Sequence, residues 1–390
     1  MNSHEPALSV AQPESLSRKP IWHNILFMTL TPVIAAVLTP IYLYHHGLSW
    51  GLVAFFAVCY AINNMSITSG YHRYLSHRSY AVHPVVDFLY IFFASGAFQG
   101  SALQWCTDHR RHHRAVDTEA DPYSINKGFL YAHFLWLFST DPFSDTEYPK
   151  DLTKNRWIML QHKYYVIIAT FVGFILPGIV GAALGFGFWG GVIIGGLLRI
   201  VCTQHSTFLV NSAAHTFGRQ TFTDKHTARD SFLVAILTFG EGYHNFHHSF
   251  QSDYRSGTRW YHWDPTKWLI RTLNFLGLAS KLKQVKMEEI LKARLAMEER
   301  QMLSRGACAD RVSMMKLQIV EAQQKLRQMK ESYFKARAAH SAEPNAAAQS
   351  LRNLKSSMQA EIRMAKIEFR SAYRKWRTFR RAVKRTAVAA

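Results

Sequence analysis

Four apolar segments constrain the fold of this chain more than any other feature of its sequence. They cover about residues 24–46, 50–72, 164–186 and 189–212, and Arg199 is the only Asp, Glu, Lys or Arg among them. A helix of about 20 residues crosses the hydrocarbon core of a bilayer, which is ~30 Å thick. The links at 45–49 and 185–188 are short, so the segments predict two hairpins of transmembrane helices. The competing interpretation is a soluble protein with buried helices.

The positions of Lys and Arg predict the orientation of these helices. Apart from Arg199, all of them lie in the N-terminal segment, in residues 73–163, or from Arg219 onward, and the links within the hairpins have none. Because cytoplasmic loops are enriched in Lys and Arg, both termini and the long middle loop are expected in the cytoplasm. Two further apolar runs, 85–103 and 232–239, are predicted to be interfacial or core helices of a cytoplasmic cap. The expected location is a bacterial inner membrane.

The net charge of +20 is concentrated in the last part of the chain. Residues 281–390 contain 26 Lys+Arg and 10 Asp+Glu, so the preceding 280 residues are almost neutral. That near-neutral body argues against a nucleic-acid partner. After residue 282 apolar residues recur at helical spacing, and a break around 341–345 predicts two long helices in a hairpin. Its role is open between binding anionic lipid, recruiting an acidic electron donor, and a solvated tail. The predicted domains are 1–23, 24–280 and 281–390.

Histidine is the informative residue type, with 20 in the chain against four cysteines. Eight fall into three clusters: His72-Arg-Tyr-Leu-Ser-His77, His109-Arg-Arg-His112-His113 and His244-Asn-Phe-His247-His248. Spacing i, i+3, i+4 places the last two trios each on one helical face, as metal ligation requires. An i, i+5 pair lies ~140° apart on an ideal α-helix, so His72 and His77 are expected to face different metals or leave the helix. Eight imidazoles exceed one ion's coordination and favour two, of Zn, Cu, Fe or Ni.

The motifs HRYLSH, DHRRHH, NSAAH and GEGYHNFHH, in that order, resemble the membrane-bound acyl-CoA Δ9 desaturases of the stearoyl-CoA type. The resemblance covers roughly residues 20–280. It implies an all-α membrane protein with a cytoplasmic helical cap, in which nine histidines hold two iron ions. The ninth is His215, and Asn211 would reach one iron through water. The resemblance also implies that Trp105, Gln99 and Thr207 line the bend of an acyl tunnel, with Tyr60 at its end.

The activity implied is O₂-dependent insertion of a cis double bond into palmitoyl- or stearoyl-CoA. Asp108, Glu241 and Asp117 are candidate acceptors for the imidazole N–H groups. The sequence has no C-x-x-C pair, no G-x-G-x-x-G motif and no His-Pro-Gly-Gly motif. An external electron donor is therefore expected, either ferredoxin-type or a flavin/iron–sulfur reductase.

The chain departs from the animal members of that family near the expected head-group site, where it has Thr107 and Gly100. Phospholipid-linked or carrier-protein-linked acyl chains therefore stay open beside acyl-CoA. Candidates for head-group contacts are the polar and basic residues Asn24, Arg110, Lys127, Lys154 and Arg156. Two rival functions are a related di-iron fatty acyl or alkane hydroxylase and a membrane metal-binding or sensor protein.

Overall fold

A computed structural model describes residues 18–144, 147–341 and 348–389, and almost all of its regular structure is helical. The chain divides into two compact units. The first comprises the described residues up to Arg219 together with His226–Gln284, and the second comprises Gln220–Lys225 and the residues from Val285 onward. Most of the predicted N-terminal segment, residues 1–17, lies outside the described residues.

Four helices of the first unit are long and apolar enough to cross a membrane: Trp22–His46, Trp50–Ser76, Tyr165–Ala183 and Phe188–Thr216. They match the four predicted segments. A soluble protein would bury such surfaces, but Leu30, Val33 and Val37 of the first helix are 50%, 56% and 53% exposed. Exposed apolar surface on this scale marks contact with lipid rather than water. The all-α membrane fold is therefore confirmed.

Small residues and one arginine hold the membrane helices together. A Cβ atom on Gly181 would lie 2.5 Å from the Cα atom of Gly191. The backbones of the third and fourth membrane helices are therefore in close contact at this point. Arg199 is buried in the fourth helix, where its guanidinium donates to Asn63 Oδ1 and to the carbonyls of Gly96 and Gly173 at 2.6–3.1 Å. Its donors are thereby satisfied inside the protein, as a charge at membrane depth requires.

The second membrane helix changes type where it approaches the first histidine cluster. It is an α-helix over Trp50–Met65 and a π-helix over Ser66–Ser76. The backbone N–H of His77, the first residue past the helix, donates to the carbonyl of His72 at 3.1 Å. This i→i+5 bond belongs to a wider helical turn, which brings residues five apart toward one side.

Shorter elements build the cap. Two apolar runs predicted as cap helices are helical, over Pro84–Ser95 and Phe232–Leu237. A two-stranded antiparallel sheet pairs Ala81–Val82 with Ala279–Ser280. The remaining helices of this unit outside the membrane segments are Ala102–Ala115, Ile125–Lys127, Phe129–His133, Leu135–Phe138, Lys150–Thr153, Arg156–Lys163, His244–Ser249 and Pro265–Phe275. π-Helical stretches also interrupt the third and fourth membrane helices, at Phe171–Ile175 and Gly191–Leu198.

The described part of the second unit contains three helices: Met287–Leu303, Ala309–Ser341 and Ala348–Ala389. The expected hairpin of two long helices is therefore preceded by an additional helix, Met287–Leu303. This helix ends before Gly306 because that residue adopts a left-handed φ of 79°. Buried apolar residues form its core: Leu295, Met302, Val312, Ile319, Trp376 and Val383. Glu298 is buried beside this core and accepts hydrogen bonds from Trp376 Nε1 at 2.6 Å and from Arg380.

Candidate metal centre

Nine histidines of the first unit form two groups, within each of which the candidate ligand nitrogens lie within 4.8 Å of one another. The five-histidine group is His72, His77, His109, His113 and His247. The four-histidine group is His112, His215, His244 and His248. The groups adjoin, since the rings of His113 and His248 stack with centroids 4.2 Å apart. All nine histidines implied by the motifs are thus brought together.

Each of the two histidine-rich helices contributes to both groups. On Ala102–Ala115, His109 and His113 belong to the five-histidine group and His112 to the other. On His244–Ser249, His247 belongs to the five-histidine group while the other two histidines belong to the four-histidine group. Residues four apart share one side of a helix. The residue between them therefore turns to the neighbouring group.

The first cluster behaves differently from the expectation. His72 and His77 were predicted to face different metals or to leave the helix, and they belong to the same group. The prediction of different metals is wrong because it assumed 3.6 residues per turn, whereas this segment is a π-helix. His77 does leave the helix, by one residue.

The spacing of ring nitrogens fits metal ligation. Nε2 atoms approach at 3.0 Å between His72 and His247, and at 2.8 Å between His77 and His109. In the four-histidine group the Nε2 atoms of His248 and His244 are 3.1 Å apart. Two ligands at ~2.1 Å from one ion and at right angles to each other are separated by ~3 Å. Imidazole nitrogens at these distances fit neighbouring ligands of one ion.

Burial keeps these rings ready to bind a metal. Removal from water lowers the pKa of six of the histidines, well below the usual value: His77, His109, His113, His244, His247 and His248. Nearby imidazoles lower it further. The uncharged ring offers a nitrogen lone pair, which is the form that a metal binds.

A buried ionic network holds the five-histidine group. Glu241 Oε2 lies 3.2 Å from His72 Nδ1, and Glu241 Oε1 accepts from Arg73 Nη2 at 2.7 Å. Arg73 also donates to both carboxylate oxygens of Asp264, at 3.0 and 3.2 Å. Burial alone would raise the pKa of Glu241, but Arg73 and His72 outweigh it and lower the value to about 2. Glu241 is therefore an anion beside His72 Nδ1, and its role in orienting that ring stays a prediction.

A loop holds the four-histidine group instead. Asp121 Oδ1 lies 2.9 Å from His112 Nδ1, and Thr227 Oγ1 lies 2.7 Å from His215 Nδ1. Asp117, with a left-handed φ of 64°, accepts from the backbone N–H and the hydroxyl of Thr227 at 2.7 and 2.8 Å. The Nε2 atom of His215 is buried without a hydrogen-bond partner in the described part of the chain. It is oriented as a ligand.

The sequence missed Asp121 and Thr227 because neither belongs to a histidine motif. The only sequence signal for Asp121 is a carboxylate nine residues after His112. Asp108 accepts from Arg111 Nη2 at 3.1 Å, and its expected role as an acceptor for an imidazole stays a prediction. His226, which spacing does not distinguish, packs beside the four-histidine group with its ring centroid 4.9 Å from that of His248.

Three of the predicted tunnel residues form one hydrogen-bonded chain next to the five-histidine group. Trp105 Nε1 donates to Gln99 Oε1 at 3.3 Å, and Gln99 Nε2 donates to Thr207 Oγ1 at 2.9 Å. The indole of Trp105 stacks on His109 with centroids 5.0 Å apart. Residues from the cap and from the fourth membrane helix are thus joined beside the candidate ligands.

Tyr60 lies farther into the second membrane helix, with its ring against Phe56 and Phe239 at 5.7 and 5.4 Å. Asn64, one turn on, is buried and donates to Thr203 Oγ1 at 3.3 Å. Asn211 is the last residue of the helix Arg199–Asn211, one turn before His215. A tunnel role for Tyr60 and a water-mediated role for Asn211 stay predictions.

The head-group candidates all have contacts within the protein or lie at its surface. Asn24 Nδ2 donates to the Leu137 carbonyl at 2.9 Å, and Arg110 pairs with Asp151 at 2.7 Å. Lys127 lies 3.6 Å from Glu119, and the Arg156 guanidinium lies over the ring of Trp157. Lys154 is exposed. Their role in head-group binding stays a prediction.

The chain is similar to known fatty acid desaturases. The family model described as "Fatty acid desaturase" matches residues 48–274. Among relatives, "Acyl-CoA desaturase 1" of Saccharomyces cerevisiae is 39% identical over 64% of this chain and 49% of its own length. "sn-1 stearoyl-lipid 9-desaturase" of Anabaena variabilis is 36% identical over 60% of this chain and 85% of that protein. Human "Stearoyl-CoA desaturase 5" is 34% identical over 68% of this chain and 81% of its own length.

The matched region contains all nine histidines and three of the four membrane helices in full. The chain spans about half the length of two yeast relatives, 49% of the Saccharomyces cerevisiae protein and 50% of "Probable acyl-CoA desaturase" of Schizosaccharomyces pombe. It covers four fifths of the human relative, 81%. The family model spans more than half of the chain, including both histidine groups. The chain therefore belongs to the fatty acid desaturase family.

Proposed function

We propose that this protein is an O₂-dependent fatty acyl desaturase that introduces a cis double bond at carbon 9 of a saturated acyl-CoA. The observation that carries the proposal is the pair of adjoining histidine groups with the Trp105–Gln99–Thr207 chain beside them. Two iron ions bound by these groups would supply, with O₂ and two electrons, the oxidising power that removes two hydrogens from neighbouring methylene carbons. The saturated acyl chain, O₂, two electrons and two protons balance as one alkene and two waters, since two of the four water hydrogens come from the chain.

The protein's own residues would position the substrate and its oxidation site. The imidazoles would hold the ions, and Glu241 and Asp121 would accept from ring N–H groups and so fix the orientation of His72 and His112. The side chains of Gln99 and Thr207 are hydrogen-bonded to each other, which holds that part of the wall rigid. A bend at this point would determine which carbons face the ions. The distance from the thioester to the bend would then set the position of the double bond.

One observation favours a second carrier for the acyl chain. The Anabaena relative is named as a lipid desaturase and matches over 85% of its own length, an extent similar to the 81% of the human stearoyl-CoA relative. Phospholipid-linked acyl chains are therefore the alternative substrate within the same reaction. The proposed setting is a bacterial inner membrane with both termini in the cytoplasm, and the proposed electron source is a separate ferredoxin-type or flavin/iron–sulfur protein.

Fatty-acid analysis of host membranes tests this function. Expression of the full chain under aerobic growth should produce a cis-9 alkene in the C16 or C18 chains. The His112→Ala variant should produce none while still inserting into the membrane. Purified protein with labelled stearoyl-CoA or labelled phospholipid, O₂ and a reductant then distinguishes the carriers. A hydroxylated chain without alkene would identify a hydroxylase, and no O₂ consumption with either substrate would favour a metal-binding protein.

A further inference from the structure

The second unit distributes its charge unevenly between its helices. Three of the seven Lys+Arg of Ala309–Ser341 are paired with carboxylates: Lys316 with Glu299 at 2.5 Å, Lys325 with Glu368 at 2.7 Å, and Arg327 with Glu288 at 2.8 Å. The last helix, Ala348–Ala389, has 12 Lys+Arg and only two Asp+Glu. Most of its positive charge therefore has no carboxylate on the same helix to balance it.

These charges form a line on the outward face of the last helix, here called the basic stripe: Arg370, Arg374, Arg377, Arg381 and Lys384. All five are exposed, and among the described side chains none forms an ion pair. Steps of four and three residues keep them on one side of the helix over ~21 Å. Like charges at this spacing destabilise a helix, so the fold itself gives no reason for the arrangement.

The apolar residues of the same helix separate into two sets. Trp376 and Val383 are buried in the core of the unit, and Phe369 and Phe379 pack against it. On the outward side, Ile367 extends the basic stripe by one more step and is 50% exposed, next to Met364 at 64%. Nucleic-acid sites combine positive charge with exposed aromatic rings for stacking. Along this stripe the aromatic rings face inward and the exposed apolar residues are aliphatic.

We propose that the basic stripe binds the surface of an anionic bilayer, with Arg370, Arg374, Arg377, Arg381 and Lys384 on phospholipid phosphates and Ile367 at the interface. The chain is anchored in a membrane by four helices, so this unit stays within reach of lipid head groups. A lipid surface also matches a row of exposed charges that extends ~21 Å along one side of a helix. This inference depends on membrane anchoring and not on the proposed desaturase reaction.

The expected effect follows from the number of contacts. Each Lys or Arg near an anionic membrane surface shifts the bound-to-free ratio about fivefold, so three substitutions should lower it about a hundredfold. The attraction should weaken strongly at 0.5 M salt, where the screening length is well below the ~8 Å of physiological salt.

The test uses the full-length protein in nanodiscs of phosphatidylcholine, with or without 30% phosphatidylglycerol. A fluorophore on Ile367→Cys, in a Cys308→Ser background, reports contact through quenching by head-group spin-labelled lipid. Quenching should rise with anionic lipid and fall in high salt. It should be lost in the triple variant Arg374→Gln, Arg377→Gln, Arg381→Gln. The matched control is Lys316→Gln, Lys325→Gln, Arg327→Gln, which changes the net charge equally but removes paired residues.

Three outcomes would overturn the proposal. Quenching could be equal in neutral and anionic discs, or the control triple could lose as much quenching as the stripe triple. Alternatively, the fluorophore could respond only to added polyglutamate and not to lipid, which would identify an acidic protein as the partner. Circular dichroism and the size-exclusion profile of each variant establish that loss of quenching does not reflect unfolding.

Discussion

The two histidine groups have similar ligands but different supports. The five-histidine group rests on Glu241, Arg73 and Asp264, three charged residues that are buried and bonded to one another. The four-histidine group rests on Asp121 and on Thr227, which Asp117 holds from a loop. The support of the five-histidine group belongs to the core between helices. The support of the four-histidine group consists of short polar contacts between loops.

The difference separates stability from metal affinity. Removing one partner of a buried ion network leaves a charge uncompensated and destabilises the whole fold. Removing one hydrogen-bond acceptor of a ligand mainly loosens that ligand. Substitutions in the support of the five-histidine group should therefore mainly lower the stability of the fold. Substitutions in the support of the four-histidine group should mainly lower the affinity for metal. The latter also has one nitrogen fewer, so each of its ligands matters more.

The largest effect is expected from removing one ligand of each group. His112→Ala leaves three nitrogens in its group, whereas His113→Ala leaves four in the other. We expect His112→Ala to retain about half of the wild-type metal and His113→Ala to retain nearly all of it, with no alkene product from either. Metal analysis of the purified proteins measures this, with His45→Ala at an exposed position as control. Equal metal loss in both variants would contradict the difference between the groups.

Glu241→Gln should have the next largest effect, on stability. The change removes the anion that Arg73 and His72 share in a buried site, which costs ~3–5 kcal/mol of the free energy of unfolding. Thermal unfolding of the metal-free protein in detergent checks this. Glu119→Gln, at an exposed ion pair, is the control and should unfold like the wild type. A Glu241→Gln protein with unchanged stability would show that the network does not support the fold.

Asp121→Asn should act on metal affinity more than on the fold. The substitution weakens the acceptor of His112, and loss of such a partner lowers metal affinity ~10–100-fold. Competition with a chelator should release one ion early from the variant and leave the second as tightly bound as in the wild type. Asp151→Asn, which alters the partner of Arg110, is the control. Equal weakening of both ions would mean that the two groups do not act separately.

Thr227→Val should have the smallest effect. It removes the hydroxyl between Asp117 and His215, with a loss of ~1 kcal/mol in stability and about a tenfold loss of affinity for one ion. Thr227→Ser keeps the hydroxyl and should restore binding, and Thr153→Val removes a hydroxyl with only a local contact. The same chelator competition measures all three. If Thr227→Ser binds as weakly as Thr227→Val, the hydroxyl is not what holds His215.

Much of the fold could be predicted because its signals are local. The four membrane helices were predicted within four residues of their observed ends, since a long uncharged segment has few stable alternatives. The first helix of the second unit, Met287–Leu303, was missed as a separate helix because only five residues, including Gly306, separate it from the next helix. His215 required resemblance, since a single histidine after a membrane helix has no distinctive spacing.

The sequence by itself determined that histidines would gather beside a membrane and that there were enough of them for two ions. Tertiary structure alone decided which histidines belong together. His72 and His77 share a group because a π-helix changes the angle between them. His112 belongs to a different group from His109 and His113 because its side of the helix faces the four-histidine group. The supporting residues Asp121 and Thr227 also come from tertiary structure. Contacts between distant segments leave no periodic trace in a sequence, whereas membrane helices and ligand motifs do.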